Sequence, residues 1–232
     1  MGTSRTFRSP STPRWQALNA AYDAELPLER LRVLVFAAGE ETWSQALAHP
    51  AIGASVQTLT DAFGELDARI EASGRADTAI ADVIREARNA LAHQGFTPAA
   101  AVVERALRVV LVHTLQGDAG SIADLDASQA ADAWRANRGT EPTYMVQRLL
   151  GEVLGQYARH VVTRDAHRLV GGDAVPTVGD ARRLARDIAE RVTAVAERVD
   201  VAGVAPAGMA TAWPSLVAAA FAEGKRPPSD DA

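Results

Sequence analysis

Residues 80–113, which read IADVIREARNALAHQGFTPAAAVVERALRVVLVH, decide the fold. Apolar residues recur in the first part of this stretch at three- and four-residue steps, the spacing of one face of an α-helix. Gly95 interrupts the pattern, and Thr97-Pro98 supplies a helix N-cap followed by a proline suited to the first helical position. The stretch therefore predicts two consecutive helices, at about residues 77–93 and 97–115, of which the second is broadly apolar and central.

The same helical character extends over most of the 232 residues. Ala, Leu, Val, Arg and Glu dominate, and the alternating pattern of a half-buried strand never persists. Further helices are predicted at about residues 27–38, 40–48, 52–71, 122–137, 140–169 and 177–199, with a short last helix after Trp213-Pro214. The expected fold class is all-α, an up-and-down helical bundle with additional C-terminal helices.

Composition suggests how the chain is organised. Residues 1–13 and 223–232 mix Ser, Thr, Pro and charged residues without an apolar period, and both ends are expected to be disordered. The loop at residues 116–120 is a candidate boundary between a helical bundle at 14–117 and a C-terminal helical region at 121–222 packed on it. The two regions are equally compatible with a single domain.

Composition also limits the chemistry of the chain. Cysteine is absent, which excludes disulfides, thiolate metal sites and a cysteine nucleophile. No apolar run approaches the roughly 20 residues that span a bilayer, and the N-terminus lacks an apolar signal core, so we expect a cytoplasmic protein without membrane contacts. The formal net charge of −5 argues against a globally basic nucleic-acid binder but leaves a local basic patch open.

A cation, an amide and an imidazole lie together in the sequence RNALAH at residues 88–93. RNA cleavage without a metal needs a group that moves protons near neutral pH and a cation for the phosphate. His93 is therefore a candidate acid or base, Arg88 a candidate phosphate ligand and Asn89 a candidate orienting residue. On a regular helix Arg88 and His93 point about 140° apart, so either the helix ends near His93 or a second protomer completes the site.

This segment resembles the HEPN superfamily (higher eukaryotes and prokaryotes nucleotide-binding), whose motif is an arginine, four to six residues and a histidine, often with a polar residue directly after the arginine. The resemblance covers roughly residues 25–117 and includes the preceding helix, the turn and the Thr-Pro-led helix. It implies a helical bundle that pairs as a homodimer and cleaves RNA, with Arg88 and His93 catalytic and Asn89 supporting them. It also implies a toxin–antitoxin, abortive-infection or antiphage system, with an antitoxin or defence-complex protein as a further partner.

Other interpretations of the motif stay open. A histidine in the last turn of a helix interacts favourably with the helix dipole, and an upstream arginine can simply be solvated. The protein would then be a non-catalytic helical binding or dimerisation subunit of a larger defence or nucleic-acid complex. A third alternative is an unrelated helical regulator, sensor or scaffold.

A second cationic group lies late in the helix predicted at 140–169. His160, Arg164, His167 and Arg168 fall at steps of four, three and one, which places them on neighbouring parts of one side. This stripe is a candidate RNA-binding surface, and the alternative is a solvated helix end where cations suit the dipole. The two histidines lack the carboxylate or third ligand of a zinc site, so we expect no metal and no cofactor.

The helix predicted at 177–199 carries charges of both signs. Its arginines Arg182, Arg183, Arg186, Arg191 and Arg198 share the helix with Asp187, Glu190 and Glu197. Mixed charges of this kind are typical of a solvated surface. These arginines are therefore expected to face solvent.

Overall fold

The computed structural model describes residues 13–24, 26–92, 97–116, 125–137, 142–171, 175–204 and 206–227, without the side chains of residues 23, 63, 142, 143, 165–169 and 206. These residues form α-helices and contain no β-strand, so the predicted all-α class is confirmed. The helices are α1 (Pro13–Asp23), α2 (Leu28–Gly39), α3 (Trp43–Leu47), α4 (Pro50–Phe63), α5 (Leu66–Ser73), α6 (Ala76–Leu91), α7 (Pro98–Gln116), α8 (Ala127–Asn137), α9 (Pro142–Leu169), α10 (Val178–Thr193) and α11 (Met209–Gly224). Short 3-10 segments at Ala194–Arg198 and Pro206–Gly208 lie between α10 and α11.

Helices from both parts of the chain pack around one hydrophobic core. The long helix α9 lies between α7 and α10, and α4 packs against α6 and α11. Two buried hydrogen bonds join the N-terminal and C-terminal parts. The Tyr157 hydroxyl donates to the Val35 carbonyl at 2.6 Å, and the Trp213 indole N–H donates to the Leu47 carbonyl at 2.9 Å. The segments 14–117 and 121–222 therefore share a core.

A buried arginine holds the C-terminal end of α11 against α2. The Arg32 side chain is only 3% exposed, and its Nε donates to Glu29 at 2.9 Å. Its Nη1 donates to the Gly224 carbonyl at 2.7 Å, and its Nη2 donates to the Arg226 carbonyl at 3.1 Å. Carbonyls at a helix C-terminus have no partner within the helix, so Arg32 satisfies them from a neighbouring element.

The single helix predicted at 52–71 is two helices in the structure. Helix α4 ends at Phe63, and α5 begins at Leu66. Between them the Glu65 N–H donates to the Ala62 carbonyl at 3.1 Å, a three-residue step that tightens the turn. Gly64 itself has φ −80° and ψ −16°, a backbone conformation open to any residue.

The chain ends also differ from the expectation. Helix α11 begins at Met209, before Pro214, and runs through Gly224, so it includes the first residues of the tail expected at 223–232. Arg226 pairs with Glu223 at 2.7 Å, and Lys225 pairs with Glu40. Helix α1 begins at Pro13, the last residue of the expected N-terminal arm. Residues 1–12 and 228–232 lie outside the described residues.

Candidate functional site

Helix α6 carries the first part of the RNALAH motif at its C-terminal end. Its apolar residues Ala76, Ala79, Ile80, Val83, Ile84, Ala87 and Leu91 form the buried face that the spacing predicts. Arg88 and Asn89 lie on the other side and are exposed. The helix ends at Leu91, two residues before His93. The angle of about 140° between residues 88 and 93 applies only to a regular helix that includes both. His93 lies outside the described residues.

An ion pair links Arg88 to α7. The Arg88 Nε donates to Glu104 Oε2 at 2.8 Å, while the arginine side chain keeps 60% of its surface exposed. Glu104 is 23% exposed and also lies 3.9 Å from Arg108. The hydrogen bond that Arg88 donates to Glu104, and then the negative charge of Glu104, raises the pKa of Arg88 above its ordinary value. Arg88 is therefore a permanent cation at the surface, and Glu104 competes with any anion that binds it.

An open cavity of about 430 Å³ lies beside Arg88 between α6 and α7. Its apolar part is formed by Ile80, Ala81, Ile84 and Val112, and its charged residues are Asp77, Arg85, Arg88 and Arg108. Arg85 is paired with Asp82 at 2.6 Å. This cavity, termed the α6–α7 pocket, thus combines apolar residues with three arginines, each of which has a carboxylate partner nearby: Asp82 for Arg85, and Glu104 for Arg88 and Arg108.

Helix α9 carries all four residues of the predicted RNA-binding stripe. One part of His160 is open to solvent, while its ring packs against α3, with a centroid 5.1 Å from that of Trp43. The Arg164 guanidinium lies over Trp15 of α1, 4.3 Å from the ring centroid, in a cation–π contact. The side chains of His167 and Arg168 lie outside the described residues. Of the two described side chains, Arg164 packs on an aromatic ring, and His160 borders an open groove.

That groove has a volume of about 570 Å³ and lies between α7, α9 and α10. Its charged or titratable residues are Arg105, Arg159, His160, Arg182 and Arg186. Its other lining residues are Pro98, Ala101, Val102, Gln156, Thr163 and Ala185. No carboxylate stands among these described lining residues. The cavity is termed the basic groove.

The positive charge of the basic groove comes from its arginines. Partial burial, and then the charges of Arg164 and Arg105, lowers the pKa of His160 below its ordinary value of 6.5. His160 is therefore largely neutral at pH 7, and it adds charge to the groove only under more acidic conditions.

Sequence reasoning assigned no role to Arg105 of α7 or Arg159 of α9, and it expected Arg182 and Arg186 only to face solvent. The i, i+4 spacing of these two α10 arginines does indicate one shared helix face. The sequence does not indicate which element that face borders, because this depends on how α10 packs on α9. Both arginines are exposed, as expected, but they border a cavity rather than open surface.

The described residues contain no group of three or more His, Asp or Glu residues arranged to hold a metal ion. None of the described helices combines the length and the apolar character needed to cross a membrane. No family model, curated protein or solved structure matches this chain.

Proposed function

We propose that the protein is a HEPN-type, metal-independent endoribonuclease that acts as a homodimer in a bacterial toxin or antiphage-defence system. The observation that carries this proposal is the exposure of Arg88 and Asn89 at the end of α6, beside the α6–α7 pocket. An arginine in this position is open to a phosphate, in contrast to the buried Arg32, which is bound to backbone carbonyls. The biological setting and the dimer are supported by the motif's resemblance alone.

The proposed reaction needs only side chains of the motif. His93, as a base, takes the proton of a ribose 2′-hydroxyl, and the resulting oxygen attacks the adjacent phosphorus. The bond from phosphorus to the 5′ oxygen of the next nucleotide breaks, and His93, which is now an imidazolium, gives its proton to this oxygen. The products carry a 2′,3′-cyclic phosphate and a 5′-hydroxyl. Arg88 stabilises the negative charge on the phosphoryl oxygens, and Asn89 orients one of them.

The alternative is a non-catalytic helical binding or dimerisation subunit of a larger defence or nucleic-acid complex. The observation that favours it is the ion pair between Arg88 and Glu104, which gives the arginine a partner within its own chain. In this alternative the pair joins α6 to α7, and the motif performs no chemistry. The two functions differ in the effect of removing Arg88, because only the nuclease needs its charge on RNA.

The test is incubation of the purified protein with total RNA in EDTA. Arg88→Ala and His93→Ala are expected to lower cleavage by about 100-fold or more, since each removes a group that acts in the transition state. Arg75→Ala is the matched control, because Arg75 is an exposed arginine at the other end of α6 and is paired with Asp77 at 2.7 Å. It is expected to cleave like the wild type.

Each variant is first checked for an unchanged helical circular dichroism spectrum. Cleavage that is lost in Arg88→Ala and His93→Ala but kept in Arg75→Ala supports the nuclease and its site. An inactive wild type, or equal cleavage by all variants, contradicts the proposal and favours the binding subunit.

A further inference from the structure

Four arginines of the basic groove face a common space without a carboxylate among the lining residues. Arg105 belongs to α7, Arg159 to α9, and Arg182 and Arg186 to α10. Arg186 lies 3.8 Å from Asp187, whereas the other three form no ion pair with any residue that the structure describes. Positive charges gathered in a concave site raise the local potential and favour an anionic ligand.

This charge is a local feature of the groove and does not follow from composition. The chain has 29 acidic residues and 24 Lys and Arg residues, so carboxylates are plentiful. On another face Arg135 alone contacts three of them, Asp67, Glu71 and Asp132, at 2.5 to 3.0 Å. The basic groove thus lacks lining carboxylates, whereas arginines elsewhere on the described surface are paired with them.

The shape of the groove suits a nucleotide unit. Its volume of about 570 Å³ falls within the range of about 300–1,000 Å³ typical of ligand sites. The small residues Ala101 and Ala185 leave space between the helices, and Pro98 and Val102 add apolar surface. Apolar lining residues can hold a base or ribose while the guanidinium groups of the same groove bind phosphate oxygens.

Helix α7 connects the basic groove with the α6–α7 pocket. Arg105 lines the groove, and Arg108 lines the pocket together with Arg88. Residues three apart on a helix differ by about 60° in direction and about 4.5 Å in height, so Arg105 and Arg108 share one side of α7. Both are exposed. A polyanion held in the groove can therefore cross α7 and reach Arg88.

We propose that the phosphate backbone of single-stranded RNA binds in the basic groove and continues over α7 to Arg88. The identity of the ligand as RNA rests on the proposed function. The place at which the strand is held is the new part. With a net charge of −5, the protein has no general positive field for RNA, so binding depends on a local cluster of phosphate contacts. A single strand fits better than a duplex because its unstacked bases can enter an apolar groove.

Binding is tested by fluorescence anisotropy with a labelled 2′-O-methyl RNA of about 12 nucleotides, within the usual range of single-strand sites. This RNA lacks the attacking hydroxyl, so it separates binding from cleavage. Arg105→Gln and Arg182→Gln are each expected to weaken binding roughly tenfold at low salt, as the loss of a charge-assisted contact does. Each is also expected to reduce the slope of log affinity against log salt by about 0.7.

Arg183→Gln is the matched control for Arg182→Gln. Arg183 is the next residue on α10 and is also exposed, but it lies 3.6 Å from Asp180 and does not line the groove. It is expected to bind RNA within about twofold of the wild type, as is usual for a surface residue away from the contacts. Thermal melts of all variants are compared, so that a folding defect is separated from a loss of binding.

No RNA binding by the wild type, no loss in the two groove variants, or an equal loss in Arg183→Gln overturns the inference. These outcomes are distinguishable from failure of the nuclease proposal. If the groove variants lose RNA binding while the wild type never cleaves RNA, the result supports the basic groove as the RNA site and contradicts the nuclease proposal. If cleavage and binding both persist in Arg105→Gln and Arg182→Gln, the groove assignment fails and the nuclease stands.

Discussion

At the scale of single residues, the ion pair with Glu104 limits how far Arg88 is available to an anion. Glu104→Gln keeps the shape of the side chain but removes the charge that holds the arginine at 2.8 Å. If Arg88 binds phosphate, RNA affinity and cleavage are expected to rise by about two- to fivefold, the size expected on releasing an exposed ion pair. The measurement is cleavage in EDTA together with anisotropy of the 2′-O-methyl RNA.

Glu86→Gln is the control for this prediction. Glu86 lies on α6 two residues before Arg88 and pairs with Arg69 at 3.0 Å, so its removal changes the net charge equally without freeing Arg88. A rise in both variants would indicate a general charge effect. No rise in Glu104→Gln would instead mean that Arg88 has a structural role, and the binding subunit would then be the better account.

At the scale of elements, the contact between α4 and α11 depends on Gly53. A Cβ atom at residue 53 would lie 2.5 Å from the Ala210 carbonyl oxygen, closer than backbone packing allows. In a regular helix the N–H of residue 214 would donate to the Ala210 carbonyl, but Pro214 has no N–H. Gly53 of α4 packs closely against this carbonyl oxygen. Proline favours the first turn of a helix or a position beyond its end. Packing of α11 on α4 thus accommodates Pro214 inside the helix.

Gly53→Ala is expected to destabilise the protein by about 1–3 kcal/mol, because the clash is with rigid backbone rather than with a movable side chain. For a chain of this size the melting temperature is expected to fall by roughly 3–10 °C. Gly64→Ala is the control, since nothing lies within 4 Å of a Cβ there and its φ of −80° suits alanine. A melting temperature of Gly53→Ala equal to that of Gly64→Ala would show that the α4–α11 packing is not tight.

Elements whose signals are local could be predicted from the sequence. The Thr177 hydroxyl accepts a hydrogen bond from the Asp180 N–H at 3.2 Å, so α10 begins where its cap residue indicates. The position of Pro214 inside α11 could not be predicted, because it depends on the packing of α11 against α4. The break at Gly64 could not be predicted because its φ of −80° and ψ of −16° also suit a continuous helix. The same holds for the site: the α6 periodicity places Arg88 on the exposed face, whereas the basic groove depends on which helices meet.

At the scale of the whole molecule, the proposed homodimer predicts that two protomers can contribute residues to one active site. If Arg88 of one protomer acts with His93 of the other, a mixed dimer of Arg88→Ala and His93→Ala has one intact site. After subunit exchange at equal amounts, cleavage is expected to return to about a quarter of the wild-type rate, since half of the dimers are mixed and each has one active site.

Light scattering of the mixture gives the oligomeric state in the same experiment. No restored cleavage by a mixture that is dimeric and has exchanged subunits would place Arg88 and His93 of one site within one protomer. A monomeric wild type that cleaves RNA would contradict the homodimer while leaving the nuclease intact.

The proposed metal-independent nuclease, with the exposed Arg88 at its site, is tested by mass spectrometry of the products that the wild type releases from a defined RNA in EDTA. We expect fragments with 2′,3′-cyclic phosphate and 5′-hydroxyl ends, absent when the 2′-hydroxyl at the cleaved position is methylated. Intact RNA, or fragments with 5′-phosphate and 3′-hydroxyl ends, would contradict it.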